Sequence, residues 1–385
     1  MFKKRLLTPG PTPIPEEVRL AMARDMIHHR KDEFKKVMHN VLNDLRYLFC
    51  TENPVLPLSC SGTGAMTAAV NNLFSPGEKV IVVEAGKFGR RWSDIAQARG
   101  LEVIALPLEW GAAVDPADVE NVLSRWSDIS GLLIQASETS TGVLHPVREL
   151  AAMCRKHNIL SVVDGISAVG ISPCPMDEWG IDCLLTGSQK GLMLPPGLAF
   201  IALSDAAWEK ARKTKPRDFY FDLPREREKN ASDQTLFTSP VNLVLGLEQV
   251  MRIFKSRGLE AVFAKQRALT AMVRAGVQAM GLDLLVRDFY TLGLTSVSLP
   301  PGIDGIKLLE TAAREHGVYM AGGQEHLKGR IVRIGHMGYV DFGDLLAGLH
   351  ALRCSLESCG GHCGSRDYLE RAMAAYHQEL QTKNQ

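Results

Sequence analysis

Six short apolar segments constrain this chain more than any other feature: Val80 to Val83, Glu102 to Leu106, Leu132 to Gln135, Ile159 to Val163, Cys183 to Thr186 and Leu198 to Leu203. Each is followed by polar or small residues, and helical patterns fit between most of them, over Gly64 to Leu73, Gly89 to Arg99, Pro116 to Trp126 and Arg148 to His157. A strand that is apolar along its length must be covered on both faces, and strands that alternate with helices at this spacing need crossover connections. The expectation is an α/β chain whose large domain has three layers, with helices on both sides of a mainly parallel sheet.

In such a sheet the side chains at the carboxyl ends of the strands face the ligand crevice. Two segments deliver a titratable residue there. Ile159-Leu160-Ser161-Val162-Val163 ends in Asp164, and Leu184-Leu185-Thr186-Gly187-Ser188-Gln189 delivers Lys190. Alone, Lys190 reads as a surface lysine after a strand and Asp164 as a turn former or helix cap. Together they match what pyridoxal phosphate needs: an amine that forms a Schiff base with its aldehyde, and a carboxylate that keeps the ring nitrogen protonated. Lys190 is also followed by Gly191-Leu192-Met193-Leu194-Pro195-Pro196-Gly197 rather than a charged run, so its amine is expected over an apolar pocket, where a lysine becomes reactive.

The remaining chain is read around this sheet. Helices are predicted over Glu16 to Met26 and Glu33 to Leu48, and Lys213 to Asn230, charged and interrupted by proline, is expected to be irregular. A long helical region, Val241 to Met280, breaks at Gly258 and leads to a smaller α+β domain. Its strands are expected near Leu284 to Val286, Thr295 to Leu299, Val318 to Met320 and Ile331 to Ile334, with helices near Gly305 to Glu315 and Phe342 to Arg353. The resulting division is residues 1–30 as a segment lining the site entrance, 31–245 as the large domain, 246–353 as linking helix and small domain, and 354–385 as a tail.

With 385 residues, 45% hydrophobic, 23% charged and a net charge of +1, the chain gives no electrostatic case for nucleic acid or an acidic membrane, and no apolar run approaches a membrane span. Eight scattered cysteines fit reduced, mostly buried thiols, and Lys383-Asn384-Gln385 is not a peroxisomal address, so a cytoplasmic location is expected. Cys354, Cys359, His362 and Cys363 cluster near the end, but without a second separated ligand pair no metal site is expected.

Further candidates lie at other strand ends. Ser59-Cys60-Ser61-Gly62-Thr63-Gly64-Ala65-Met66 opens a helix with small residues and hydroxyls, which suits a phosphate; a plain helix cap is the other reading. Phe88 could stack on a planar cofactor or belong to the core. Thr139, in Glu138-Thr139-Ser140-Thr141-Gly142, offers a hydroxyl or forms a turn. Arg333, flanked by apolar residues in Val332-Arg333-Ile334-Gly335, suits a substrate carboxylate or a structural salt bridge.

These motifs occur in order from about Leu6 to Leu352. With Thr8-Pro9-Gly10-Pro11-Thr12-Pro13 they resemble the alanine–glyoxylate / serine–pyruvate aminotransferases, class V pyridoxal-phosphate enzymes of fold type I. The resemblance implies that Lys190 is the Schiff-base lysine, Asp164 the partner of the ring nitrogen, Ser61, Gly62, Thr63 and Gln189 phosphate-site residues, and Thr139 a neighbour of the ring hydroxyl. It also implies that Arg333 clamps a carboxylate, with Gly10 at the substrate site. Phe88 stands where mammalian members have a stacking tryptophan, and Thr235 where they have a tyrosine. Thr235 and Thr238 are expected to cross a two-fold interface to the partner's phosphate site, making a homodimer; a helix cap is the local alternative for Thr238.

The implied activity is transfer of an amino group from alanine or serine to glyoxylate or pyruvate. A cysteine desulfurase-like or other lyase of the same fold would need a nucleophilic cysteine near the cofactor, and the His-Lys pair of that branch is Gln189-Lys190 here. His28-His29-Arg30 faintly resembles the distal-phosphate site of phosphoserine aminotransferases, or is a solvated loop. Some bacterial relatives are described as a soluble-hydrogenase subunit, and a nicotinamide oxidoreductase would need a complete glycine fingerprint that is absent.

Overall fold

The computed structural model describes residues 3–381. Met1 and Phe2, and the C-terminal Lys383-Asn384-Gln385 judged above for an address, lie outside the described residues.

The large sheet has seven strands, β1 (Val55–Leu58), β2 (Lys79–Glu84), β3 (Glu102–Pro107), β4 (Ile129–Gln135), β5 (Leu160–Asp164), β6 (Cys183–Gly187) and β7 (Ala199–Leu203), in the order β1-β7-β6-β5-β4-β2-β3. β7 runs antiparallel to both neighbours, and the other pairs are parallel. Alternation within the strands builds two cores. Ile81, Val83, Leu132, Ile134, Val163 and Phe200 face one layer, packed by the helices Asp32–Phe49, Val147–Lys156 and Val241–Arg257. Val80, Val82, Leu133, Val162, Leu185 and Ile201 face the other, packed by α1 (Gly62–Leu73) and α2 (Lys87–Ala98). The strands are therefore buried on both sides, which is why they read as unbroken apolar runs.

β1 escaped the sequence reading because Pro57 sits inside it. It is an edge strand, where a missing N–H costs no ladder bond. The segment 213–230 is not wholly irregular: Leu223–Asn230 is a helix, with Pro224 in its first turn and the Asp222 carboxylate accepting the Arg225 N–H at 3.1 Å. The first helix ends at Met22 rather than Met26.

The long helical region splits at Gly258 into α3 (Val241–Arg257) and α4 (Leu259–Ala279). The second unit carries a four-stranded antiparallel sheet of Asp283–Leu284, Leu294–Ser298, Ile331–Gly335 and Ala321–Gly322. The boundary expected at 353/354 falls inside the helix Phe342–Ser358, and the helix Tyr368–Gln381 packs on the same core through Tyr368 and Ala372, against Met272 and Val273 of α4. The N-terminal segment also joins this unit: Arg5–Leu6 pairs in parallel with Val318–Tyr319, and the Gly335 N–H donates to Leu7 O at 2.7 Å. From there the chain runs back to the ends of β5 and β6.

Candidate active site

Asp164 is the last residue of β5 and Lys190 lies just past the end of β6, so the parallel register of these neighbours brings carboxylate and amine to the same edge of the sheet. Lys190 Nζ donates to Pro9 O at 3.1 Å. Gly10 must be glycine here, because a Cβ would lie 2.7 Å from both Nζ and Cε of Lys190. The turn is held by Thr12, whose N–H donates to Gln189 O at 3.1 Å and whose hydroxyl donates to Lys190 O at 2.9 Å.

Electrostatics make the pair unusual. Burial pushes the Lys190 ammonium down to about 8, with the Arg333 and Arg91 cations adding to the effect and Asp164 opposing it. Burial likewise pushes the Asp164 carboxyl up to about 7, although its Oδ1 accepts the Ile166 N–H at 2.7 Å. A carboxylate in this position gains from any guest that brings it a proton or a positive charge.

The opening of α1 forms a second part of the site. Ser61 is the N-cap residue but makes no side-chain cap, so the first-turn N–H groups of Gly62 and Thr63 are not capped by it. A Cβ on Gly62 would collide with Ile166 Cδ1, and the Gln189 side chain reaches the same space, its Oε1 buried without a hydrogen-bond partner. Arg91 was not singled out in the sequence, yet its Nη1 donates to the Thr63 hydroxyl at 3.0 Å and its guanidinium lies 4.8 Å over the Phe88 ring. Arg91 sits one helical turn after Phe88, and that spacing was the available signal.

Phe88 itself is positioned by Glu138, the other residue missed. This fully buried carboxylate accepts the Phe88 N–H at 3.1 Å and the Gly89 N–H at 2.9 Å at the start of α2, and the Ser140 hydroxyl at 2.6 Å. It satisfies a helix N-terminus inside the protein. Next to it, Thr139 is buried with its hydroxyl 2.8 Å from that of Ser167, and its carbonyl accepts from Arg333 Nη1 at 2.7 Å. Arg333 Nε donates to Gly322 O at 2.8 Å. The guanidinium of the second unit is thus aimed at the edge of the large sheet by two carbonyls, with no carboxylate salt bridge among the described residues, and three of its five N–H groups remain for a ligand.

Thr235 and Thr238 are not drawn into this cluster. Thr235 is buried and its hydroxyl closes on Phe237 O at 2.7 Å, whereas Thr238 is exposed beside His28 and His29. Thr238 does not cap the following helix, whose N-cap is Pro240 with no side-chain bond. The Arg30 guanidinium donates to Thr235 O at 2.7 Å and to Gln234 Oε1 at 3.1 Å, so it serves this segment instead of waiting for a distal phosphate. Cys60, the cysteine of the α1 turn, is pushed up to about 12 by burial, far from a thiolate nucleophile. The Cys354 thiol lies 3.5 Å from His350 Nε2, and among the described residues no three metal-ligating side chains converge.

The residues present fit pyridoxal phosphate. An amine cradled by Gly10, a buried carboxylate at the neighbouring strand end, and a helix N-terminus with Thr63, Arg91 and the orphaned Gln189 side chain could supply anchor, ring partner and phosphate pocket respectively.

The comparisons agree. Residues 8–348 match the family described as Aminotransferase class-V. The chain is 37% identical to the soluble hydrogenase small subunit of Synechococcus sp., over 93% of this chain and 94% of that protein, and 34% identical to the L-aspartate–glyoxylate aminotransferase of Paracoccus denitrificans, over 89% of each. Its structure superposes on the alanine–glyoxylate aminotransferase of Nostoc sp. with a TM-score of 0.89 at 29% identity, covering 92% of this chain and 96% of the other. The fold and site thus define a pyridoxal-phosphate-dependent transaminase of fold type I. The chain belongs to the class V aminotransferases, with amino acids and 2-oxo acids as substrates.

Proposed function

We propose that the protein transfers the amino group of alanine or serine to glyoxylate or pyruvate, with Lys190 as the covalent anchor and proton carrier. The observation that carries this reading is the desolvated Lys190 amine, held by Pro9 and Gly10 at the strand end it shares with Asp164. When bound, pyridoxal phosphate supplies an aldehyde that condenses with amines and a ring that draws electrons from the substrate's α-carbon.

The chain's own residues do the rest. With its ammonium at about 8, Lys190 Nζ is in part neutral near physiological pH, so the free amine would be able to take the proton from the substrate's Cα. Asp164 holds a proton at the ring nitrogen, a charge that its buried carboxyl accepts only with such a partner. Thr63, Arg91, Gln189 and the N–H groups of Gly62 and Thr63 would hold the phosphate. Phe88 would pack on the ring, Thr139 would serve its hydroxyl, and Arg333, oriented by Thr139 O and Gly322 O, would take the substrate carboxylate.

Small substrates are favoured by the resemblance and by relatives whose names specify glyoxylate as the acceptor. The half-buried Cys60, whose thiol is pushed up to about 12, argues against the desulfurase reading, and the engagement of Arg30 argues against the phosphoserine one. The relative described as a hydrogenase subunit leaves transamination the better reading here, because Lys190, Asp164 and Arg333 are all present in this chain. We place the protein in the cytoplasm as a homodimer, Thr238 reaching the partner's phosphate site; no helix among the described residues is long and apolar enough to cross a membrane, and all eight cysteines are unpaired.

The test is a donor panel of alanine, serine, aspartate, phosphoserine and cysteine against glyoxylate. Transfer from alanine or serine at the highest kcat/KM is expected. Sulfur release from cysteine without transamination by any donor would replace this reading with the lyase.

A further inference from the structure

Behind the Lys190 turn lies a second cavity that the catalytic reading does not use. Its volume is about 340 Å³, enough for a small organic molecule. It is bounded by Gly191 and Met193 of the turn, by Phe254 of α3 and Val262 of α4, and by the Gly338–Tyr339 loop of the second unit. Three parts of the fold therefore meet around it. Its walls are mostly apolar, but Lys265 of α4 projects into it.

Lys265 is the informative residue. Its Nζ donates to Gly338 O at 3.1 Å, and among the described residues no carboxylate lies within ion-pair distance of it. Burial pushes this ammonium down to about 8, Arg257 adds to the shift, and the more remote Asp341 and Asp344 only partly offset it. A desolvated ammonium with one carbonyl partner is costly to keep, and a bound anion would compensate it. Arg257, exposed at the rim, adds a second cation, while the exposed Glu17 opposes a second negative charge on the guest.

We infer that this cavity is a regulatory site for a small monocarboxylate with an apolar body. The carboxylate pairs with Lys265, and the aryl or alkyl part lies against Phe254, Val262 and Met193. Binding bears on catalysis through Gly338. A Cβ there would lie 3.2 Å from Lys190 O and from the Thr12 hydroxyl, so the loop that Lys265 holds rests directly on the turn that presents Lys190. An anion that draws Lys265 from Gly338 O loosens that support and lowers kcat. This site is separate from the substrate site, and the inference does not depend on which donor is used.

The experiment titrates the holoenzyme with phenylacetate by calorimetry, in the presence of saturating 2-methylalanine, which occupies the substrate site and has no α-proton to lose. Binding should persist, and phenylacetamide, neutral and of the same shape, should bind roughly tenfold or more weakly. Lys265→Met should lose about the same factor. Val262→Trp, which fills the cavity and keeps the charge, should also lose binding while its melting temperature stays near the wild-type value. In steady-state assays phenylacetate should lower kcat for the wild type and not for Lys265→Met. Displacement of phenylacetate by 2-methylalanine, a purely competitive kinetic pattern, or unchanged affinity in both variants would overturn the proposal.

Discussion

Two lysines of this chain are held at about 8 by burial, and they stand on opposite sides of the same turn. Lys190 leaves the end of a strand and meets Asp164, Arg91 and Arg333 from three other elements. Lys265 leaves the middle of a helix and meets one carbonyl and apolar walls. The same loss of hydration thus produces two different sites. A depressed amine marks a place where charge is expensive, and only the convergence of further polar groups turns that expense into covalent chemistry.

Replacing each lysine separates them most sharply. Lys190→Ala should reduce transamination by roughly a thousandfold or more, since anchor and proton carrier go together. Lys265→Met, which removes the bond to Gly338 O but none of the reacting groups, should lower kcat only to about the level of the phenylacetate-saturated wild type, far short of the Lys190→Ala loss. Equal losses in the two variants, measured by steady-state kinetics on folded protein, would remove the distinction.

Asp164→Asn should cost roughly 100-fold or more in kcat, because an amide cannot hold a proton at the ring nitrogen. It carries a second, opposite effect on stability. The Asp164 carboxyl is raised from 3.8 to about 7, so the wild-type apo protein carries no penalty from it well below 3.8, where it is protonated folded and unfolded alike. The penalty builds between about pH 4 and pH 7, as the unfolded carboxyl ionises while the buried one keeps its proton, and is complete above 7. The Asn variant should therefore make the apo form more stable by about 1–3 kcal/mol at pH 8 and by much less at pH 4. Urea unfolding at the two pH values checks this, and a variant less stable at pH 8 would contradict it.

Arg333→Lys tests the side of the site that comes from the second unit. It keeps the charge and loses the fork, so KM for both donor and acceptor should rise about 10- to 100-fold with a smaller change in kcat. The smallest effect is expected at Thr238→Val, a few-fold loss of cofactor affinity accompanied by weaker association of subunits on dilution. Sedimentation showing a monomer with full activity would refute the shared site.

The contrast also explains what could be read in advance. Asp164 and Lys190 were legible as a pair, because two apolar strands each close on a titratable residue at a small-residue turn, although either alone has an ordinary structural use. Arg333 was legible as a charge inside an apolar strand, where it needs an anion or a salt bridge. Arg91 and Lys265 were not, since a cation on an amphipathic helix normally faces water, and only the placing of α2 beside Thr63 of α1 and of α4 against the Gly338 loop turns them inward. Glu138 was quoted only as part of a turn; its role depends on the start of α2 arriving from about fifty positions away. The edge strand around Pro57 and the Arg5–Leu6 strand were missed because their partners, β7 and Val318–Tyr319, are remote in sequence.

The most direct measurement is reductive trapping. Holoenzyme treated with borohydride, digested and mapped by mass spectrometry should carry one pyridoxyl group per chain on Lys190, with Lys265 unmodified even at pH 9, where both amines are largely neutral. A pyridoxyl group on Lys265, or on no lysine of a protein that still transaminates, would contradict the account.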